Sequence, residues 1–87
     1  MSVRAIRIDP NDNVAVVVAD VEAGSRVRLD DGGELSATQP VPRGNKVALT
    51  AIAAGEPVIR YGEEIGVATT DIAAGDHVHT HNMGGRK

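Results

Sequence analysis

All three histidines of the chain fall in one octet, Gly75-Asp76-His77-Val78-His79-Thr80-His81-Asn82, spaced two residues apart. Imidazole changes charge near neutral pH, ligates transition metals and shuttles protons. If the segment is a strand, alternation puts His77, His79 and His81 on one face and Val78 and Thr80 on the other. Adjacent residues on one strand face lie about 6.5–7 Å apart at Cα, so two imidazoles can converge on one ion or one carboxylate. His77 and His81 are then about 13 Å apart, and joining all three needs a bend. The chemistry on offer is metal ligation by two neighbouring imidazoles, or proton transfer. The plain alternative is a row of polar surface residues.

Three further side chains could serve an acidic small molecule. Lys46 and Arg60 each follow a glycine turn by a few residues and could project toward a shared mouth, where they would bind carboxylates. Ordinary surface charge is the alternative for both. Tyr61, the chain's one aromatic residue, reads most simply as a core plug with its hydroxyl at the surface. Its place before Gly62 keeps a binding role open.

The bulk numbers narrow the classes. At 87 residues this is one small domain, and such a domain buries only about 60 % of its unfolded surface. Its core must come from Val, Ile, Leu and Ala, because Phe and Trp are absent. A net charge of −3 argues against general nucleic-acid binding. No apolar run approaches the roughly 20 residues of a membrane span, and no leader opens the chain, so the expected location is cytoplasmic. Zero cysteine removes disulfides, thiolate zinc sites and cysteine nucleophiles from this chain.

The elements that must position these residues are short strands. An aliphatic–x–x–Gly–x–x–Val unit recurs four times, beginning at Val21, Val41, Ile52 and Ile72, with its glycines at 24, 44, 55 and 75. Each glycine is expected at a sharp corner, and the following valine starts a strand. The spacings of 20, 11 and 20 residues suggest an approximate duplication and no solenoid. Strands are expected over 5–8, 13–19, 26–30, 34–37, 46–48, 57–61, 67–69 and 77–81. Residues 13–19 read as a strand buried on both faces, and Asp31-Gly32-Gly33 as a hairpin turn. Glu63-Glu64 reads as a solvated loop tip. Residues 51–54 and 71–74 read as one-turn helices, with Asp71 and Asp20 as N-caps of the segments they precede. The expectation is an all-β domain over 1–82 and a flexible tail over 83–87.

Longer blocks carry a family pattern. Asp12-Asn13-Val14-Ala15-Val16 resembles the opening strand of the altronate dehydratase family. Gly44-x-Lys46-Val47-Ala48-Leu49 resembles its second block. Val58-Ile59-Arg60-Tyr61-Gly62-x-x-Ile65-Gly66-x-Ala68 and Asp71-Ile72-x-x-Gly75-x-His77-Val78-His79-x-His81-Asn82 resemble the third and fourth. The resemblance runs over roughly residues 12 to 82 and implies a SAF domain, whose fold is the β-clip, a long bent hairpin folded over on itself. In altronate and galactarate dehydratases this domain accompanies a much larger catalytic part, and a similar small subunit occurs in sulfolactate sulfo-lyase. The resemblance implies loss of water or sulfite from a hydroxy acid and a divalent metal, usually iron(II), in the assembled enzyme. Where the family often has His after the second glycine, this chain has Asn45, a poor metal ligand and no base near neutral pH.

Two functional expectations follow. The first is a small subunit or N-terminal module of a sugar-acid dehydratase or related lyase. It would work with a large catalytic subunit and be inactive and metal-free alone. His79 and His81 would be catalytic, Lys46, Arg60, Tyr61 and Asn82 would contact substrate, and His77 and His79 would reach a metal. The second is a non-catalytic β-clip module that binds a sugar acid or docks a partner protein, since one fold serves unrelated purposes. Homo-oligomerisation is left open by either.

Overall fold

The computed structural model describes residues 2–85. Among the described residues nine strands run in chain order: β1 (Ser2–Ile6), β2 (Val14–Val17), β3 (Arg26–Leu29), β4 (Glu34–Ser36), β5 (Lys46–Ala48), β6 (Pro57–Arg60), β7 (Glu63–Ala68), β8 (His77–Val78) and β9 (Met83–Gly84). They form a six-stranded sheet, β4-β3-β1-β2-β5-β8, and a three-stranded sheet, β6-β7-β9. Among the described residues only the β1–β3 pairing is parallel. The chain is all-β, as its β-branched runs and glycine corners led one to expect.

The four repeated units are real and work in pairs. Gly24, Gly44, Gly55 and Gly75 all have φ between 82° and 92°. In each unit the residue after the glycine donates to the carbonyl three back, at 2.9–3.0 Å, closing a turn with its left-handed residue at the third position. The aliphatic anchors then pair. Val21 and Val41 exchange both backbone hydrogen bonds at 2.9 Å, and Ile52 and Ile72 do so at 2.8 Å. The 20-residue spacing is therefore the separation of two turns that cross each other.

This pairing overrides the expected one-turn helices. Exchange of two ladder bonds holds Ile52 and Ile72 extended, and no helix occurs among the described residues. None is therefore long and apolar enough to cross a membrane. The two aspartates also act across the crossing. Asp20 Oδ1 accepts from the Arg43 N–H at 2.8 Å, and Asp71 Oδ1 from the Ala54 N–H at 3.0 Å. Each caps the partner unit's turn instead of its own.

Two small cores result. One gathers Ala5, Ala15, Val17, Val21, Val27, Ala37, Val41 and Val47. The other gathers Val14, Ala48, Ile52, Val58, Ala68, Ile72 and Val78. Strands β2 and β5 lie between them and feed both, which explains the uninterrupted apolar run of β2 and the buried Val47-Ala48 of β5. Val18, expected inside β2, lies beyond its end and is 39 % exposed.

Tyr61 is not a core plug. It stands 52 % exposed at the tip of the β6–β7 hairpin. Arg60 pairs with Glu63, so Tyr61 and Gly62 are a two-residue turn, with φ of 56° and 76°. That is the type I′ pattern, which prefers Asn-Gly and puts a non-glycine residue at a cost. Glu63 and Glu64, expected at the tip, open β7 instead. Met83 and Gly84, expected to begin a tail, form β9 against β7. The approach is so close that a Cβ on Gly66 would meet the Gly84 carbonyl. Arg86 and Lys87 of that expected tail lie outside the described residues.

Asp12 and Asn13 hold this hairpin to the large sheet. Asp12 is 5 % exposed; its Oδ1 accepts from the Gly62 N–H at 2.8 Å and its Oδ2 from the Asp9 N–H at 3.1 Å. Asn13 accepts from the Ile59 N–H at 2.7 Å and donates to the Pro57 carbonyl at 2.9 Å. Burial alone would raise the Asp12 pKa, but the backbone N–H groups of Gly62, Asp9, Tyr61 and Ile8 outweigh it and hold the carboxyl below its usual range. A depressed folded pKa stabilises the fold above the unfolded value, and that contribution is lost as pH falls through the folded value. Asp12→Ala is therefore expected to cost about 1–3 kcal/mol at neutral pH by orphaning backbone donors. The gap to the parent should narrow in acid, as followed by urea unfolding at several pH values. A gap independent of pH would show that the carboxylate charge is not what holds the turn.

Candidate functional site

The histidine segment is a strand for only two residues. β8 ends at Val78, and the chain then turns, with the Asn82 and Met83 N–H groups both donating to the His79 carbonyl at 3.1 and 2.9 Å. Asn82 makes the turn. It is 5 % exposed, its Oδ1 accepts from the His79 N–H at 2.9 Å, and its Nδ2 donates to the His77 carbonyl at 2.8 Å. The bend that three-way convergence requires is thus supplied by the asparagine that closes the block. Asn has this turn chemistry because its side chain imitates a backbone amide.

The three rings come together as a result. His77 stacks on His79 with centroids 5.6 Å apart and planes 9° apart. His81 lies 5.3 Å from His77, tilted by 45°. Val78 is fully buried behind them, while His79 and His81 are exposed and His77 is half-buried. In an extended strand the outer pair would be about 13 Å apart at Cα.

His77 is tied in on several sides. Its backbone N–H donates to Gln39 Oε1 at 3.1 Å. Its Nε2 lies 3.2 Å from Asn45 Oδ1. A carboxamide oxygen only accepts, so Nε2 is the donor and the neutral ring leaves Nδ1 bare. Burial first, then the neighbouring His81, His79 and Lys46, push the His77 pKa down. Asn45 therefore orients this ring through a hydrogen bond, a role the substitution for His still allows.

Lys46 sits opposite Val78 in the β5–β8 register, and is half-buried. Burial, then the charge of Arg60, hold its ammonium below the usual lysine range. The Arg60 guanidinium lies over the Tyr61 ring, with Cζ 5.1 Å from the centroid. Arg60 thus contacts Tyr61 and acts by its charge on Lys46, and Lys46 acts in turn on His77. Of the residues expected at the site, Asn82 stands behind the histidines with its amide engaged by backbone at both ends.

Among the described residues no three His, Cys, Asp or Glu side chains converge to hold a metal ion. No carboxylate joins the rings, and His77 Nε2 is already spent on Asn45. The donor set of this chain does not make an iron(II) centre by itself, because such a site wants carboxylate or other oxygen ligands beside imidazole.

Sequence reading missed three contributors. Asp12 and Asn13 hold the Tyr61 tip, and Gln39 holds β8. The signal for the first two was the polar Asp-Asn pair directly before a buried strand. For Gln39, which acts across 38 residues, there was none.

Residues 3–85 match the family model described as the altronate/galactarate dehydratase SAF domain. Altronate dehydratase of Escherichia coli (strain K12) is 52 % identical over 77 residues, covering 88 % of this chain and 15 % of that protein. The (2R)-sulfolactate sulfo-lyase subunit alpha of Chromohalobacter salexigens is 35 % identical, with 95 % of each chain covered. Its counterpart from Paracoccus pantotrophus is 52 % identical over 48 residues, 55 % of this chain and 72 % of that one. The chain spans about one seventh of the altronate dehydratases it matches and nearly all of the first of these alpha subunits.

Proposed function

The chain belongs to the altronate/galactarate dehydratase SAF domain family, and from that premise we propose that it is the small module of a hydroxy-acid dehydratase or lyase. Its larger catalytic part would lie elsewhere, as the size of its dehydratase relatives suggests. The observation that carries the reading is the gathering of the His79 and His81 rings against His77 on one turn, with the Lys46 charge acting on His77.

The reaction class is elimination next to a carboxylate. A base removes the proton on the carbon bearing the carboxylate, and a β-substituent, hydroxyl or sulfite, departs. A hydroxyl needs a proton as it leaves, and a positioned imidazole is a common group to give it. His79 and His81, both exposed, face incoming substrate and are the proton carriers. His77, half-buried and held neutral by its surroundings, fixes the stack through Asn45. A divalent metal, iron(II) by the family resemblance, would take its main ligands from the larger part; His77 and His79 offer at most two imidazoles to it.

The test is reconstitution. Purified alone, the chain is expected to turn over none of altronate, galactarate or sulfolactate, with or without added iron(II). Combined with its natural larger partner it is expected to support turnover of a hydroxy acid, and the partner without it to lose most of that rate. Activity of the chain alone, surviving removal of contaminants, would refute the division of labour. A co-purified partner whose activity is indifferent to the chain would favour a docking module.

A further inference from the structure

Four arginines on the β1–β3–β4 side of the large sheet have carboxylate partners. Arg4 pairs with Asp30, Arg7 with Asp31, and Arg26 and Arg28 with Glu34. Arg60 and Lys46 make no such pair among the described residues. Arg60 is also the one described residue whose buried side-chain nitrogen, Nε, has no hydrogen-bond partner. A buried donor left unpaired is costly, and an acceptor bound there would relieve that cost.

The surroundings fix what that acceptor is. The Tyr61 ring lies under Cζ at 5.1 Å and walls one side of the guanidinium. Tyr61 itself is held in its left-handed conformation by the buried Asp12 clamp on the turn. Lys46 on β5 is half-buried, feels the charge of Arg60 and acts by its own charge on His77. A planar fork with a free Nε–H and a neighbouring ammonium match the paired oxygens of a carboxylate or sulfonate. The pKa of Lys46, depressed first by burial and then by the Arg60 charge, agrees with two cations held together without an anion between them.

We propose that Arg60 and Lys46, walled by Tyr61, form an oxyanion subsite that takes the acidic end of a small hydroxy acid. It rests on the reading of the chain as a lyase module and names the group by which that module holds its substrate. The bound end then lies beside the histidine turn, with the reacting carbons toward His79 and His81.

The subsite can be tested without turnover. The 87-residue chain, isotopically labelled, is titrated at pH 7 and matched ionic strength with sodium gluconate and, separately, with 2-hydroxyethanesulfonate. Saturable shifts of the Arg60 Nε–H and Lys46 side-chain resonances are expected with at least one probe, and the tighter probe identifies a carboxylate or a sulfonate end. Arg60→Gln should weaken binding at least 10-fold and Lys46→Gln in the same direction, each in a chain whose backbone spectrum stays native. Arg43→Gln, which removes an exposed arginine elsewhere, should leave it unchanged. Linear, non-saturating shifts with both probes overturn the subsite, as does equal weakening by Arg43→Gln and Arg60→Gln. Failure of binding alongside intact histidine-dependent turnover in the assembled enzyme removes the subsite alone. Saturable binding by a chain whose partner is indifferent to it removes the lyase reading instead.

Discussion

Replacing His79 by alanine is expected to lower kcat/KM of the assembled enzyme by about 10²-fold or more, the usual worth of a positioned general acid or base. The fold should hardly notice. His79 is exposed, and substitutions at such positions usually stay within about ±0.5 kcal/mol. The turn survives because Asn82 grips the His79 backbone N–H and not its ring. His81→Ala should behave alike, since its ring also leaves the backbone of the turn untouched. A stability measurement on each variant separates lost chemistry from lost structure. Normal activity in both would make the histidine turn a surface feature and end the catalytic claim.

Gly75→Ala is expected to be among the most destabilising single methyl additions in this chain, about 3 kcal/mol or more. Two costs combine there. The residue sits at φ +92°, where a side chain costs roughly 1–2 kcal/mol. Its new Cβ would also run into the Ser36 carbonyl oxygen and lie 3.2 Å from Thr38 Cγ2, adding about 1–3 kcal/mol of overpacking. Gly24 is the internal control. It has φ +87° but nothing within 4 Å of a Cβ, so Gly24→Ala should cost only the conformational part, about 1–2 kcal/mol. Urea unfolding of both variants reads the difference. The clash matters for function as well, because the same contact carries the Thr38 N–H to the Gly75 carbonyl at 3.0 Å and places Gln39 against His77. Equal losses at the two glycines would show that close approach of the 36–38 segment is not what demands glycine at 75.

Local chemistry was legible in the chain itself. Alternation along Arg26-Val27-Arg28-Leu29 and the Asp31-Gly32-Gly33 break predict the β3–β4 hairpin, because side-chain period and turn preference depend on neighbours only. The four glycine corners were legible for the same reason, since a left-handed residue is a local demand. So were the concentration of imidazoles in one octet and the absence of an aromatic core. The family blocks added the β-clip.

Tertiary structure decided how these pieces meet. That the units pair as Val21 with Val41 and Ile52 with Ile72 depends on which strands find each other, and that pairing turned two expected helical turns into bridges. It also sent Asp20 and Asp71 to cap the opposite unit. Tyr61 looked like core because it is the one large ring. It is outside because Asp12, from another part of the chain, rewards a two-residue turn at that position. The histidines show the division most clearly. Their spacing is equally consistent with a straight row or a cluster, since two-residue periodicity says nothing about where a strand ends. Strand β8 ends at Val78 because its one sheet partner, β5, is only three residues long and Asn82 closes the chain back on the backbone of His77 and His79. Residue types set the chemistry available at the site, while long-range hydrogen bonds, whose partners lie tens of residues apart, set its geometry.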